Sequence, residues 1–138
     1  MDDLLALGRK SLAAQPFNTL VHAELAAFSE ERTELHLPIT ESLKQQHGFV
    51  HGGILSYLAD NALTFMAGAV LKSNAVTSEM KINYLRPAQG SRLIARAHLV
   101  YAGRTQAVCR CDVFVVKDGE EKLCAAAQGT IVKLNDQK

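Results

Sequence analysis

Hydrophobic and polar residues alternate along most of this chain, but a long apolar stretch interrupts the alternation about a third of the way along. Short alternating runs predict β-strands. The stretch from Ile54 to Val70 has apolar residues at helical spacing around almost its whole circumference, which predicts a buried α-helix. Turn residues such as Asp118-Gly119 mark the ends of strands. The predicted elements, in chain order, are a short helix over residues 2–14, strands over 20–28 and 32–37, the long helix over about 53–71, and strands over 75–85, 92–101, 106–117 and 120–134.

The order of these elements predicts an α+β domain in which an antiparallel sheet curls around one long central helix. The chain has 138 residues, of which 48% are hydrophobic, so we expect a single domain over residues 1–138 with one core. One such sheet cannot cover the helix on every side. We therefore expect a second copy of the chain against the remaining face of the helix.

Composition excludes several classes of partner. The net charge is +1 and the basic residues are dispersed, so neither nucleic acid nor a membrane surface is an expected partner. The N-terminal segment carries charges among its apolar residues, unlike a secretory signal, and the uncharged run over 61–71 is shorter than the ~20 residues that span a bilayer. Three cysteines form no disulfide framework, so we expect buried thiols and a cytoplasmic protein.

Asp60 is the first candidate for chemistry. Between Lys44 and Lys72 it is the only side chain that is charged for certain, and its neighbours are mostly apolar. Burial of an unpaired carboxylate is costly, so such a group is a candidate general base or nucleophile. Less apolar residues recur along the same helix every three or four positions and predict one polar stripe, made of Gly53, Tyr57, Asp60, Asn61 and Thr64.

The start of the helix is the second candidate. Gly52 and Gly53 leave the first backbone N–H groups of the helix unscreened, and these donors favour an oxyanion. Asp60 lies eight residues beyond Gly52, which is roughly 12 Å along the axis. Reacting groups must approach to about 3–3.5 Å, so one helix cannot present both groups to one carbonyl. Two antiparallel copies can, which predicts a site shared by a two-fold dimer.

These residues taken alone also allow a second interpretation. The glycines could form only a tight turn into a core helix, and Asp60 could be a structural acid with satisfied hydrogen bonds, because structural networks also bury carboxylates.

The chain shares several motifs with one known family, and their combination is specific. They are Gly48-Phe49-Val50-His51-Gly52-Gly53 at the helix entry, the acid at Asp60, Asn83-Tyr84-Leu85-Arg86-Pro87 at a strand end, and the order of the elements. With these features the chain resembles, over nearly its whole length, the hotdog-fold acyl-CoA thioesterases, and in particular the branch of the phenylacetate-pathway (PaaI-like) thioesterase. The resemblance implies a hotdog fold and an acyl-CoA substrate.

The resemblance also implies roles for individual residues. Asp60 matches the carboxylate that acts as general base toward water or as nucleophile on the thioester, and Gly52 matches the residue whose backbone N–H polarises the thioester carbonyl. Gln45 matches the amide that positions the carbonyl or the water. His51 matches the motif histidine, which fixes the loop and contacts the thioester region. Thr64, one turn beyond Asp60, matches a hydroxyl that orients water in some branches.

Six further residues are candidates for substrate contact. Gly53 and Ser78 follow from the resemblance, with Thr77 as an adjacent alternative to Ser78. Arg86 could bind the phosphates of coenzyme A, because guanidinium groups bind phosphate well. The other three, for which an ordinary core position is the alternative, are Tyr57, Asn61 and Phe49. His47 and His51 are four residues apart, but glycines break the helix and no third ligand is evident, so no metal is expected.

The expected activity is hydrolysis of an acyl-CoA, with an aromatic or a short- to medium-chain acyl group, to free acid and coenzyme A at a dimer interface. No cofactor is expected beyond the coenzyme A of the substrate. An enoyl-CoA hydratase or dehydratase on the same fold and a non-catalytic acyl-CoA-binding module stay open as alternatives. The sequence leaves open the acyl group, a dimer as against a dimer of dimers, and whether Asp60 acts as base or as nucleophile.

Overall fold

In a computed structural model, which describes residues 2–134, six strands and a long central helix account for most of the chain. The elements are α1 (Asp2–Ala13), α2 (Asn18–Val21), β1 (Glu24–Phe28), β2 (Thr33–Pro38), a 3₁₀ turn (Glu41–Leu43), α3 (Gly52–Leu71), β3 (Ala75–Tyr84), β4 (Arg92–Ala102), β5 (Gln106–Lys117) and β6 (Glu120–Lys133).

The six strands form one sheet in the order β1-β2-β4-β5-β6-β3, and every neighbouring pair is antiparallel. This sheet packs around α3, so the predicted α+β architecture with one central helix is confirmed. The alternation of β5 explains the packing, because its inward residues are buried while Arg110 on the other face is exposed. Among those inward residues, Cys109 and Cys111 are fully buried and carry free thiols.

Helix α3 is the centre of the core. Ten of its residues are buried, and Leu58, Leu63 and Met66 have no exposed surface. Burial of side chains of this size contributes about 1.5–3 kcal/mol each, which makes α3 the main contact surface for the sheet. By length and hydropathy α3 would also pass as a membrane span, but its burial against the sheet is that of a core helix.

One predicted strand begins later than expected. Residues 20–23, predicted as part of the first strand, are not extended; α2 ends at Val21, and His22 has a positive φ of 65°. The Asn18 side chain explains the difference, because it accepts from Ala23 N–H and donates to Ala23 O, both at 3.0 Å. This local hydrogen bonding competes with strand pairing. The Asp118-Gly119 hairpin was predicted correctly, with positive φ at both residues as a type I′ turn requires.

The two edges of the sheet differ. The five-residue strand β1 is partly covered, because α1 packs beside it, Arg9 Nε donates to Leu25 O at 3.1 Å, and a bulge interrupts its pairing with β2. No described strand pairs with the outer edge of the ten-residue strand β3, and Val76 and Tyr84 are 48% and 53% exposed. Long edge strands with exposed apolar residues are templates for pairing with another chain.

Candidate active site

His51 caps the N-terminus of α3. Its Nδ1 accepts the Gly53 N–H at 2.8 Å, and its backbone carbonyl accepts from Ile54 N at 2.9 Å. The Gly53 N–H is therefore already engaged, whereas the N–H of Gly52 has no acceptor within residues 2–134. Of the two glycine N–H donors predicted from the sequence, only that of Gly52 is left for a ligand, and His51 stabilises the turn in which it lies.

A groove of about 390 Å³ lies at this helix start. It brings together four of the residues predicted from the sequence, Gln45, Phe49, Gly52 and Arg86. It also contains Tyr84, whose hydroxyl donates to Gly52 O at 3.3 Å. This last residue lay in the strand-end motif but was not itself predicted as a site residue.

Gln45 adds a second donor to the groove. Its side-chain oxygen accepts from the backbone N–H of His47, so its NH₂ group is the end left to face a ligand. In the described part of the chain that NH₂ group has no acceptor. Within the described residues, Gly52 and Gln45 thus each have a donor without an acceptor at the same groove, and such donors suit a carbonyl that gains negative charge.

Asp60 lies eight residues farther along α3 than Gly52 and is partly buried. Its Oδ1 accepts a hydrogen bond from Thr77 Oγ1 on β3. Thr64 Oγ1 donates to Asp60 O at 2.9 Å and lies 3.2 Å from Thr77 Oγ1. Among the residues that the structure describes, no cation forms a salt bridge with Asp60. The carboxylate is thus oriented by hydroxyl groups and keeps Oδ2 for another partner.

The structure does not bring Ser78 to this carboxylate. Ser78 is exposed and falls at a break in the pairing of β3 with β6, between Thr77 and Glu79. The adjacent alternative Thr77 makes the contact instead.

The predicted polar stripe of α3 divides into two groups. Tyr57 and Asn61 face the N-terminal segment: Tyr57 OH donates to Asn18 Oδ1 at 2.7 Å, and Asn61 exchanges two hydrogen bonds with Gln15 at 3.1 and 3.2 Å. Burial raises the pKa of Tyr57. These polar groups are engaged within the chain, whereas the Asp60 side chain contacts β3.

The two halves of the candidate site are separated within one chain. Gly52 and Asp60 are eight residues apart on a continuous helix, which is roughly 12 Å along its axis. A larger cavity of about 490 Å³ lies between α1 and β1, away from both halves. It contains none of the residues predicted for the site, so we do not assign the chemistry to it.

Comparison with known proteins places this geometry in a family context. The model of the Thioesterase superfamily matches residues 47–122. A thioesterase family protein from Silicibacter pomeroyi has a solved structure that is 35% identical, with a TM-score of 0.86 over 92% of this chain and 95% of that one. A variant of the phenylacetic acid degradation protein PaaI from Thermus thermophilus is 28% identical, with a TM-score of 0.76 over 87% of this chain and 100% of that one. The 1,4-dihydroxy-2-naphthoyl-CoA hydrolase of Listeria monocytogenes is 24% identical over 83% of this chain and 93% of its own.

Proposed function

Because the chain belongs to the Thioesterase superfamily and is a thioester hydrolase, we propose that its substrate is an acyl-CoA, which it cleaves to a free acid and coenzyme A. One observation carries the proposal: Gly52 and Gln45 line one groove at the start of α3, and neither the Gly52 N–H nor the Gln45 NH₂ has an acceptor within the described residues. The name of the Listeria relative supports coenzyme A as the thiol.

The two donors would hold the thioester carbonyl oxygen. Negative charge develops on that oxygen when the carbonyl carbon is attacked, and the helix N-terminus adds its partial positive charge. A single donor of this kind contributes about 10²–10³-fold in kcat. Arg86, exposed in the same groove, is placed to bind a phosphate of coenzyme A, and Phe49 forms part of the apolar wall.

Asp60 supplies the attacking step. As general base, its free Oδ2 takes a proton from water while the water oxygen bonds to the carbonyl carbon; the carbon–sulfur bond then breaks, and the thiolate leaves as coenzyme A with the proton that Asp60 returns. A positioned base contributes about 10²–10⁴-fold. Direct attack by Asp60 on the carbonyl carbon would instead expel the thiolate and form an anhydride, which water then opens at the Asp60 carboxyl carbon. Single turnover in ¹⁸O-water separates the two, because only direct attack transfers an oxygen atom of Asp60 to the acid.

A site shared between two subunits would bring the Gly52 of one subunit close to the Asp60 of the other, although the two residues are far apart within one chain. β3 runs back along α3, so its last residue Tyr84 contacts Gly52 while Thr77, near its beginning, contacts Asp60. If two β3 strands pair antiparallel through their free edges about a two-fold axis, the Asp60 of one subunit approaches the Gly52 of its partner. The free edge of β3 and the covered edge of β1 support this mode of pairing.

Charge selects the register of this pairing. The axis must pass near the middle of β3, where Glu79, Met80 and Lys81 follow one another. An axis at Lys81 places two lysines opposite each other, and an axis at Glu79 places two glutamates opposite each other, which is unfavourable in either case. An axis at Met80 places each Glu79 opposite a Lys81 of the partner. We therefore propose a dimer centred on Met80.

Steady-state hydrolysis tests the proposed activity. We expect Asp60→Asn and Asp60→Ala to lose about 10²–10⁴-fold in kcat on a panel from acetyl-CoA to phenylacetyl-CoA, measured by release of free thiol. Glu31→Gln, at an exposed turn, is the matched control and should retain the wild-type rate. Undiminished turnover in both Asp60 variants would remove Asp60 from the mechanism.

Product analysis tests the reaction itself. Formation of a hydroxyacyl or enoyl product without thiol release would indicate a hydratase, and tight binding without any turnover would indicate a binding module. His51 is the histidine that a hydratase would need, and its Nδ1 is engaged by the Gly53 N–H, so only Nε2 could take part in such chemistry.

A further inference from the structure

The geometry points to Thr77 as the residue that positions the Asp60 carboxylate for attack, an inference that rests on the proposed function. Thr77 Oγ1 donates to Oδ1 of Asp60, and Thr64 Oγ1 lies 3.2 Å from the same hydroxyl. A hydrogen bond to a charged acceptor is among the stronger ones in proteins, so this contact fixes the rotation of the carboxylate and leaves Oδ2 to face the substrate.

A β-bulge explains why Thr77 and not Ser78 makes the contact. Counting back along β3 from the partly buried residues Ile82 and Met80, regular alternation would turn Ser78 inward and Thr77 outward. The pairing with β6 instead slips between Thr77 and Glu79, so Ser78 is left without a partner and stays exposed. The phase of the strand changes by one residue, which turns Thr77 toward the helix.

The opposite strand accommodates this bulge. Gly129 on β6 pairs with Met80, and a Cβ at Gly129 would lie only 2.8 Å from the backbone oxygen of Glu79. Every residue other than glycine carries such a Cβ, so the close approach of the two backbones depends on this glycine. The bulge is therefore supported by the packing on both strands.

The hydroxyl protons define what Thr77 does. A threonine hydroxyl has one proton, and that of Thr77 is donated to Asp60, while that of Thr64 is donated to the Asp60 backbone carbonyl at 2.9 Å. Neither proton is then free to activate water. Thr77 acts through Asp60 and is a positioning residue, whereas Asp60 contacts the reacting atoms.

Three variants test this role in the intact protein. Thr77→Val keeps the shape of the side chain but removes the donor, and we expect kcat to fall about 10- to 100-fold with KM within about twofold, because misplacement of a reacting group acts on the chemical step. Thr77→Ser restores the hydroxyl and should recover most of the activity. Ser78→Ala should behave as wild type.

A double variant tests the bulge directly. Thr77→Val combined with Ser78→Thr moves the branched hydroxyl to the position that regular alternation would favour, and we expect it to stay as impaired as Thr77→Val alone. Full activity of the double variant, or of Thr77→Val itself, would overturn the inference. If Asp60→Asn is inactive while Thr77→Val is fully active, the inference alone fails. If the wild-type protein releases no thiol, the proposed function fails.

Discussion

Gly52→Pro removes the N–H donor from the proposed site and puts a ring carbon in place of its hydrogen. Proline suits the first position of a helix, where the missing N–H has no helical acceptor. The preceding residue His51 has φ −58° and ψ 135°, within the extended conformation that precedes proline without strain. A Cβ at Gly52 would lie 3.5 Å from the Tyr84 ring, which is ordinary van der Waals contact. We therefore expect Gly52→Pro to fold as the wild type does.

The expected effect of Gly52→Pro is a loss in kcat. Loss of one preorganised donor costs about 10²–10³-fold in kcat, or about 2.7–4 kcal/mol. Gln45 keeps its donor in the groove, so we expect a residual rate. Gly52→Ala retains the N–H and is the matched control, with an expected rate within a few-fold of wild type. If Gly52→Pro and Gly52→Ala hydrolyse acyl-CoA equally well, Gly52 does not stabilise the oxyanion.

Heterodimers carrying two different affinity tags test whether the site is shared. A dimer of one Gly52→Pro chain and one Asp60→Asn chain should retain about half of the wild-type rate, because one of its two shared sites keeps both groups. A dimer of one wild-type chain and one chain with both substitutions should be nearly inactive, since each site then lacks one group. If each chain carried its own complete site, the two results would be reversed, and that outcome would refute the shared arrangement.

Three further predictions concern the interface, the polar network and the thiols. Lys81→Glu should weaken the dimer by about 1–4 kcal/mol, or roughly 5- to 800-fold in the Kd measured by sedimentation. The double exchange Glu79→Lys/Lys81→Glu should restore the wild-type Kd. An unchanged Kd for Lys81→Glu would contradict the register centred on Met80. Tyr57→Phe should lower the free energy of unfolding, measured by thermal denaturation, by about 1–3 kcal/mol and leave KM unchanged, because the Tyr57 hydroxyl is engaged within the chain. A raised KM would instead assign that hydroxyl to substrate binding. Burial raises the pKa of Cys109 and Cys124 to about 11, so both thiols should resist a disulfide reagent at pH 8 until the protein is unfolded, and rapid labelling of the native protein would contradict their burial.

Local sequence patterns determined most of the fold. The apolar spacing of Ile54 to Val70 depends only on the period of a helix, and α3 covers that stretch. The strands after α3 agree with the prediction to within one residue at each end. The Asp118-Gly119 turn was predictable because positive φ is a property of the residues themselves. Asp60 and Gly52 were candidates from the residues themselves, whereas Gln45 was predicted from the family resemblance.

Contacts between distant segments decided the rest. Whether Thr77 or Ser78 faces Asp60 depends on a bulge that exists only because β3 pairs with β6, and no pattern within β3 shows it. The division of the polar stripe depends on the N-terminal segment, which folds back onto Tyr57. A sequence specifies the period of an element directly, but which face meets which neighbour is settled only when the elements pack together.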